Sequence, residues 1–510
     1  MNALRADILA RIAAAVLLGA VTGSSAWAQA ANFDDKPTGF LTVRTGGMRA
    51  DAWAGTSLAA AKRLVSALPA APRSRALRDL QFKVLVSELT PPAADGSPPP
   101  SLFARKVEKL AAMGEGESLN EMVRSAGGYL DPTSATTVAN AMMMAGERQG
   151  ACSIVRNWEL TEPFARRAAA ACKLVSGEGG GGAPVAGQLD GPSVLTLDAS
   201  RGQPPASALS STQPPVIRAL VGMKSLPIAT RLDIAERGEA LAIVEATRLA
   251  DLYVQAVREG AALPPAMARR AQLVAAARNA GNPDEIMNSI IAVYSEERGS
   301  PLFPTIARAS AAGLLNLPAK PQFARVAQEA MRGFLLLGDK QQAKAWTKLA
   351  LSAAYNDQQA LAALDRLLPL AAIAGIDDPK RLPPAEVNRW YDVLRRDDPA
   401  RAPLRGYLLL ELFRATGIDV PAGSTQLPDQ PPANVRLVMP AAATLQALQA
   451  AAAGRRVAET ALLASIAAGE TPLAELHPAG VAAIVRALRA VGEDHAARLF
   501  ATEVAIAYGL

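Results

Sequence analysis

The chain has 510 residues, of which 53 are Lys or Arg and 47 are Asp or Glu, giving a formal charge of +6 at neutral pH. That excess is mild and spread singly, as at Arg63, Arg73, Arg75 and Arg78, with no consecutive basic block; this disfavours a nucleic-acid-binding arm and reads as solvated helix faces. Hydrophobic residues make up 50% and aromatics only 4%, so Ala, Leu and Val must do most of the burying, over a length greater than one ordinary core organises.

The first thirty residues read as an address. Arg5 and Arg11 form a basic start, an apolar run follows from Ile12 to Val21, and Thr22 to Ser25 break it. Ala26-Trp27-Ala28 and Ala28-Gln29-Ala30 both satisfy the small-x-small rule, so a signal peptide is predicted over 1–30, with cleavage at Ala28 or Ala30 and a periplasmic mature chain. The apolar run is shorter than the roughly twenty residues of a bilayer span. Beyond it Arg, Lys or Glu interrupts the Ala-rich stretches, so no stable span is expected after cleavage.

Residues 31–56 read as an extended arm, with Phe40 to Val43 as a short strand. From 57 to 176 the apolar spacing is helical, through Leu58-Leu64, Leu77-Leu80-Val84, Phe103-Val107-Leu110 and Val138-Met142-Ala145. Met142, Met143 and Met144 fit a buried helix better than a soft-metal surface. Cys152 and Cys172 are the only cysteines, each ten residues from Glu162, where Pro163 marks a helix start. Antiparallel helices then hold both at similar height, and the Ala168 to Ala171 run permits close approach, so a structural disulfide is predicted.

Residues 177–215, rich in Gly, Pro and Ser, read as a linker. Gly179 to Gly182 lack the Gly-Lys-Ser or Gly-Lys-Thr of a phosphate loop. A central helical block follows over 216–416, a Pro-rich linker over 417–434 and a C-terminal helical block over 435–510. One turn recurs: a helix ends at glycine, and a small or aliphatic residue returns five positions later, at Gly146 to Ala151, Gly281 to Ile286, Gly338 to Ala343 and Gly492 to Ala497. The pattern predicts α-hairpins stacked through small aliphatic seams.

The hairpin from Pro321 to Ala354 shows this best. Phe323, Val326, Ala330, Phe334 and Leu337 form a stripe before Gly338, answered by Ala343, Trp346 and Ala350. It resembles a tetratricopeptide repeat, and weaker units lie at Met142 to Trp158, Met267 to Tyr294 and Ala479 to Tyr508. The chain is also similar in composition to uncharacterised Ala/Leu-rich exported bacterial proteins. The resemblance implies an all-α, TPR-like solenoid, in two or three blocks, that binds proteins in a concave groove.

Little points to catalysis. His477 and His495 are the only histidines, at a turn before Pro478 and after Gly492, and neither HExxH nor a Cys/His cluster is present. Glu117-Ser118 matches the acidic dipeptide of soluble lytic transglycosylases, but the downstream Gly-x-Met-Gln segment is missing. Thr133, Thr136 and Thr137 form an isolated cluster at a helix start, not the regular spacing of an ice-binding face. The sequence therefore offers no candidate catalytic, cofactor-binding or metal-ligating residue. The expected function is a non-catalytic scaffold binding an envelope protein or peptide, with a peptidoglycan-associated hydrolase or a cell-wall or lipid binding module as alternatives.

Overall fold

A computed structural model describes residue 34 and residues 36–510, apart from 127–129, 145–146, 177–205, 356, 358–360, 362–363, 377–378, 421–424 and 434. The expected cleavage residues Ala28 and Ala30, the Gly179 to Gly182 run and the turn glycine Gly146 lie outside the described residues. What is described is all-α, with extended pairing limited to isolated bridges such as Thr38 with Leu89 and Leu41 with Ser87.

The first helices are α1 (Leu58–Ala67), α2 (Arg75–Val86), α3 (Leu102–Ala112), α4 (Gly116–Ala126), α5 (Pro132–Met144), α6 (Arg148–Asn157) and α7 (Phe164–Ser176). Serine sets three of their starts. The hydroxyls of Ser57, Ser74 and Ser101 accept the N–H groups of Ala60, Leu77 and Ala104 at 3.1–3.2 Å, satisfying donors that a helix start leaves bare. The preceding arm packs down on them. Phe40 and Leu41 donate to Val86 O, Asp34 accepts from Leu102 N, and Lys62 pairs with Asp34 at 2.7 Å. Cys152 on α6 and Cys172 on α7 are bridged, with Cα atoms 5.5 Å apart.

The middle of the chain carries α8 (Pro214–Gly222), α9 (Ile228–Ala240), α10 (Ala246–Arg258), α11 (Pro265–Asn279), α12 (Pro283–Glu296), α13 (Phe303–Leu314), α14 (Ala327–Leu337) and α15 (Lys340–Ala354). Consecutive members pack on each other, and α13 also leans on α10 and α11. Glycine permits this closeness: a Cβ on Gly313 of α13 would lie 2.2 Å from the Ala277 carbonyl oxygen of α11. The α14–α15 turn shows the recurring device. Gly338 adopts φ +69°, which costs other residues strain, and the Asp339 carboxylate accepts Gln342 N at 3.0 Å to start α15.

Phe323, Val326, Ala330 and Phe334 face Ala343, Trp346 and Ala350 in the core, but Leu337 is 40% exposed because it ends α14 at the turn. The turn at Gly281 is built differently. Asn282 caps α12 by accepting Glu285 N at 2.8 Å, and that glycine needs no left-handed backbone.

The remainder is α16 (Leu368–Ala374), α17 (Pro384–Asp397), α18 (Ala402–Ala415), α19 (Ala442–Ala453), α20 (Val457–Ala468), α21 (Pro478–Ala490) and α22 (Asp494–Ala507). These last helices return to the first. Helix α20 packs on α1 and α2, while α22 touches α2, α14, α16, α18 and α21. Thr56 donates to Glu459, Ala458 N to Ala52 O and Ala71 N to Glu470, so polar contacts secure the junction. One connected apolar cluster runs from Met48 to Leu510. Helices far apart in sequence are thereby brought around a common interior space.

A candidate anion-binding cavity

That space is a cavity of about 950 Å³. Its walls come from the start of α2, the end of α9, the α12–α13 connection, α13, α14, the segment before α16, the α17–α18 corner, residues 472–474 and the end of α22. Apolar surface is supplied by Phe303, Leu336, Leu367, Leu394, Leu473 and Ile506. The charged lining is lopsided: eight arginines (73, 75, 298, 308, 332, 366, 401 and 405) against Glu239, Glu329, Asp397 and Glu503.

The deepest carboxylate is already neutralised. Glu239 has no exposed side-chain surface; Arg308 grips it through two parallel bonds of 2.7 and 2.9 Å, and Arg75 approaches to 2.7 Å. Burial alone would raise the Glu239 pKa, but Arg308 and then Arg75 outweigh it and hold the carboxyl below its ordinary value. Arg75 also donates to the carbonyls of Glu239 and Val244, tying α2 to the end of α9. This cluster closes the wall of the cavity.

Glu503, on α22, is the second buried acid. Its oxygens accept the Ser74 hydroxyl at 2.5 Å and Ala76 N at 3.2 Å, so it caps α2 from across the fold. Ser74 in turn accepts Leu77 N. Burial pushes the Glu503 carboxyl up to about 7, the Ser74 hydrogen bond and the charge of Arg308 offsetting only part of the desolvation. Burial likewise raises the Glu329 pKa on α14. Two of the four acids therefore hold their protons to higher pH than free carboxyls do.

The arginines differ in how they are engaged. Arg366 bonds Asp397 at 2.8 Å, Arg405 donates to Tyr508 O at 2.8 Å and lies 3.5 Å from Asp398, and Arg73 donates to Glu470 O. Arg332 and Arg298 make no ion pair among the described residues. Arg332, half-buried on α14, has its guanidinium carbon 5.6 Å from the Phe303 ring centroid, and Phe303 stands edge-on to Tyr294 at 5.5 Å. Burial first, and then the charge of Arg298, lowers the Arg332 pKa; arginine nonetheless stays charged. The result is an unneutralised cationic wall over an aromatic floor.

The residues singled out in the sequence lie elsewhere. His477 caps α21, its Nδ1 accepting Ala479 N at 3.2 Å, and its ring stands edge-on to Tyr407; His495 is exposed on α22. Glu117 is exposed in the first turn of α4, away from the cavity. Met142 and Met143 are buried, as are Trp390 and Tyr391. Among the described residues no His, Cys, Asp and Glu group is placed to hold a metal, and no helix is long and apolar enough to cross a membrane.

What sequence reasoning missed is the arginines. Arg78, expected on a solvated face, is only 5% exposed, one guanidinium nitrogen donating to Glu115 and to the Met113 carbonyl oxygen. The cavity arginines are single residues on separate helices, and only folding assembles them. No family model, characterised protein or solved structure matches the chain.

Proposed function

We propose that this chain is a non-catalytic periplasmic scaffold of an envelope assembly, built as a degenerate α-hairpin solenoid, whose arginine-lined cavity receives an acidic segment of a protein partner. The observation that carries this reading is the surplus of guanidinium groups around one interior space, with two of its four acids pushed toward neutrality by burial. A site of about 950 Å³ with apolar walls and a few placed charges suits a ligand segment larger than a single ion. The signal-like start and the bridged cysteines fit an oxidising compartment outside the cytoplasm.

The hydrolase alternative has weaker support. Sugar cleavage uses two carboxyls facing the scissile bond, whereas Glu239 is clamped by two arginines and Glu503 is occupied in capping α2. A photo-crosslinking amino acid placed at Gln328, on the cavity wall, tests the scaffold in living cells, with the exposed Gln341 as control. The expected result is a discrete protein adduct from Gln328 alone, whose crosslinked peptide is acidic. Adducts only from Gln341, or only with glycan or lipid, would overturn the proposal.

A further inference from the structure

We infer that Arg332, with Arg298 beside it and Phe303 beneath it, is a carboxylate subsite that takes one Asp or Glu side chain of an acidic, leucine-bearing peptide segment. This rests on the scaffold reading and adds the point of recognition and the chemistry of what is recognised.

Three observations converge on it. First, Arg332 and Arg298 have no ion pair within the described protein, whereas Glu239 is already bound by Arg308 and Arg75. Glu329, one helical turn before Arg332, does not come within ion-pair distance, and burial favours its neutral form. Second, the Phe303 ring supports the Arg332 guanidinium from one side, which leaves its planar edge to receive a carboxylate through paired N–H bonds. Third, Leu336, Leu367 and Leu394 line the same cavity, so aliphatic side chains of the segment also find cover.

Peptide is favoured over a compact phosphate by the size and spread of the site. A cavity of about 950 Å³ far exceeds one ion, and its arginines come from separate elements of the fold. A chain carrying several spaced carboxylates matches that distribution.

The test is fluorescence anisotropy of a fluorescein-labelled peptide of alternating glutamate and leucine, titrated with the full-length processed protein. The expected result is saturable binding that weakens with added salt and is not competed by the glutamine-for-glutamate peptide. Arg332→Met should weaken it roughly tenfold or more, the loss of charge-assisted hydrogen bonds. Arg332→Lys should lose several-fold, since it keeps the charge but not the fork. Arg298→Met should also weaken binding, and circular dichroism with thermal melts checks that each variant is folded. If Arg332→Met does not fold, Arg332→Lys and Arg298→Met decide the question. Unchanged affinity in the folded variants would overturn the subsite while leaving the Gln328 crosslink, and hence the scaffold, intact. Failure to bind the peptide while inorganic phosphate binds and stabilises the protein would overturn the assignment to peptide.

Discussion

Replacing Glu503 by Gln should flatten the pH dependence of stability. Glu503 is buried between α22 and α2 at the cavity wall, and its carboxyl stands at about 7 against an ordinary value of 4.5. A carboxyl whose folded-state pKa exceeds its unfolded value binds its proton more tightly in the fold. Its stabilising contribution is therefore fully present below pH 4.5, declines as pH rises toward 7, and is lost above that. The difference corresponds to about 3 kcal/mol as an upper bound, at about 1.4 kcal/mol per pH unit. The amide introduced by Glu503→Gln keeps an oxygen for Ala76 N and can donate its own N–H to Ser74 Oγ, so the cap survives without the titration. Urea unfolding of the protein at pH 5 and pH 8 measures this. The unaltered protein should lose about 2–3 kcal/mol more than Glu503→Gln between these conditions. Parallel losses in the two proteins would refute the assignment of a buried, near-neutral carboxyl.

Other substitutions read separate parts of the fold. Replacing Cys152 and Cys172 together by Ala opens a loop with a sequence separation of 20 and should cost about 3 kcal/mol in urea unfolding, the effect vanishing when both proteins are compared under reductant. Glu239→Gln leaves Arg308 and Arg75 without their counter-charge and should cost about 3–5 kcal/mol; a loss below about 1 kcal/mol would contradict the clamp. Gly313→Ala pits a helix-propensity gain of about 1 kcal/mol against a Cβ placed 2.2 Å from a backbone oxygen of α11, an overpacking cost of about 1–3 kcal/mol or more. The clash should win and lower the melting temperature, and an unchanged or higher value would show that the helices have room to part.

Local order is legible in this sequence and the assembly of the site is not. The α14–α15 hairpin follows from neighbours in the chain: an apolar stripe at helical spacing, a glycine suited to positive φ, and an aspartate that caps the next helix. The cysteine pair is likewise a matter of counting along two adjacent helices. Glu503 and Ser74, by contrast, are 429 residues apart, and the four cavity arginines 75, 298, 308 and 332 come from different helices and connections. Periodicity assigns a residue to a face of its own helix but not to the helix that face will meet. The return of α20 onto α1 and α2, and of α22 onto α2, is secured by polar contacts between residues about 400 positions apart, which no local pattern announces. Single arginines therefore read as surface until their carboxylates and carbonyls are placed beside them.

Hydrogen–deuterium exchange of the protein, with and without the glutamate–leucine peptide, tests most directly whether the cavity receives an acidic segment. The account predicts added protection in the cavity walls, in the peptides covering 294–308, 327–337 and 494–510, with the outer helix α15 unchanged. Protection on α15 with those walls unaltered would contradict it.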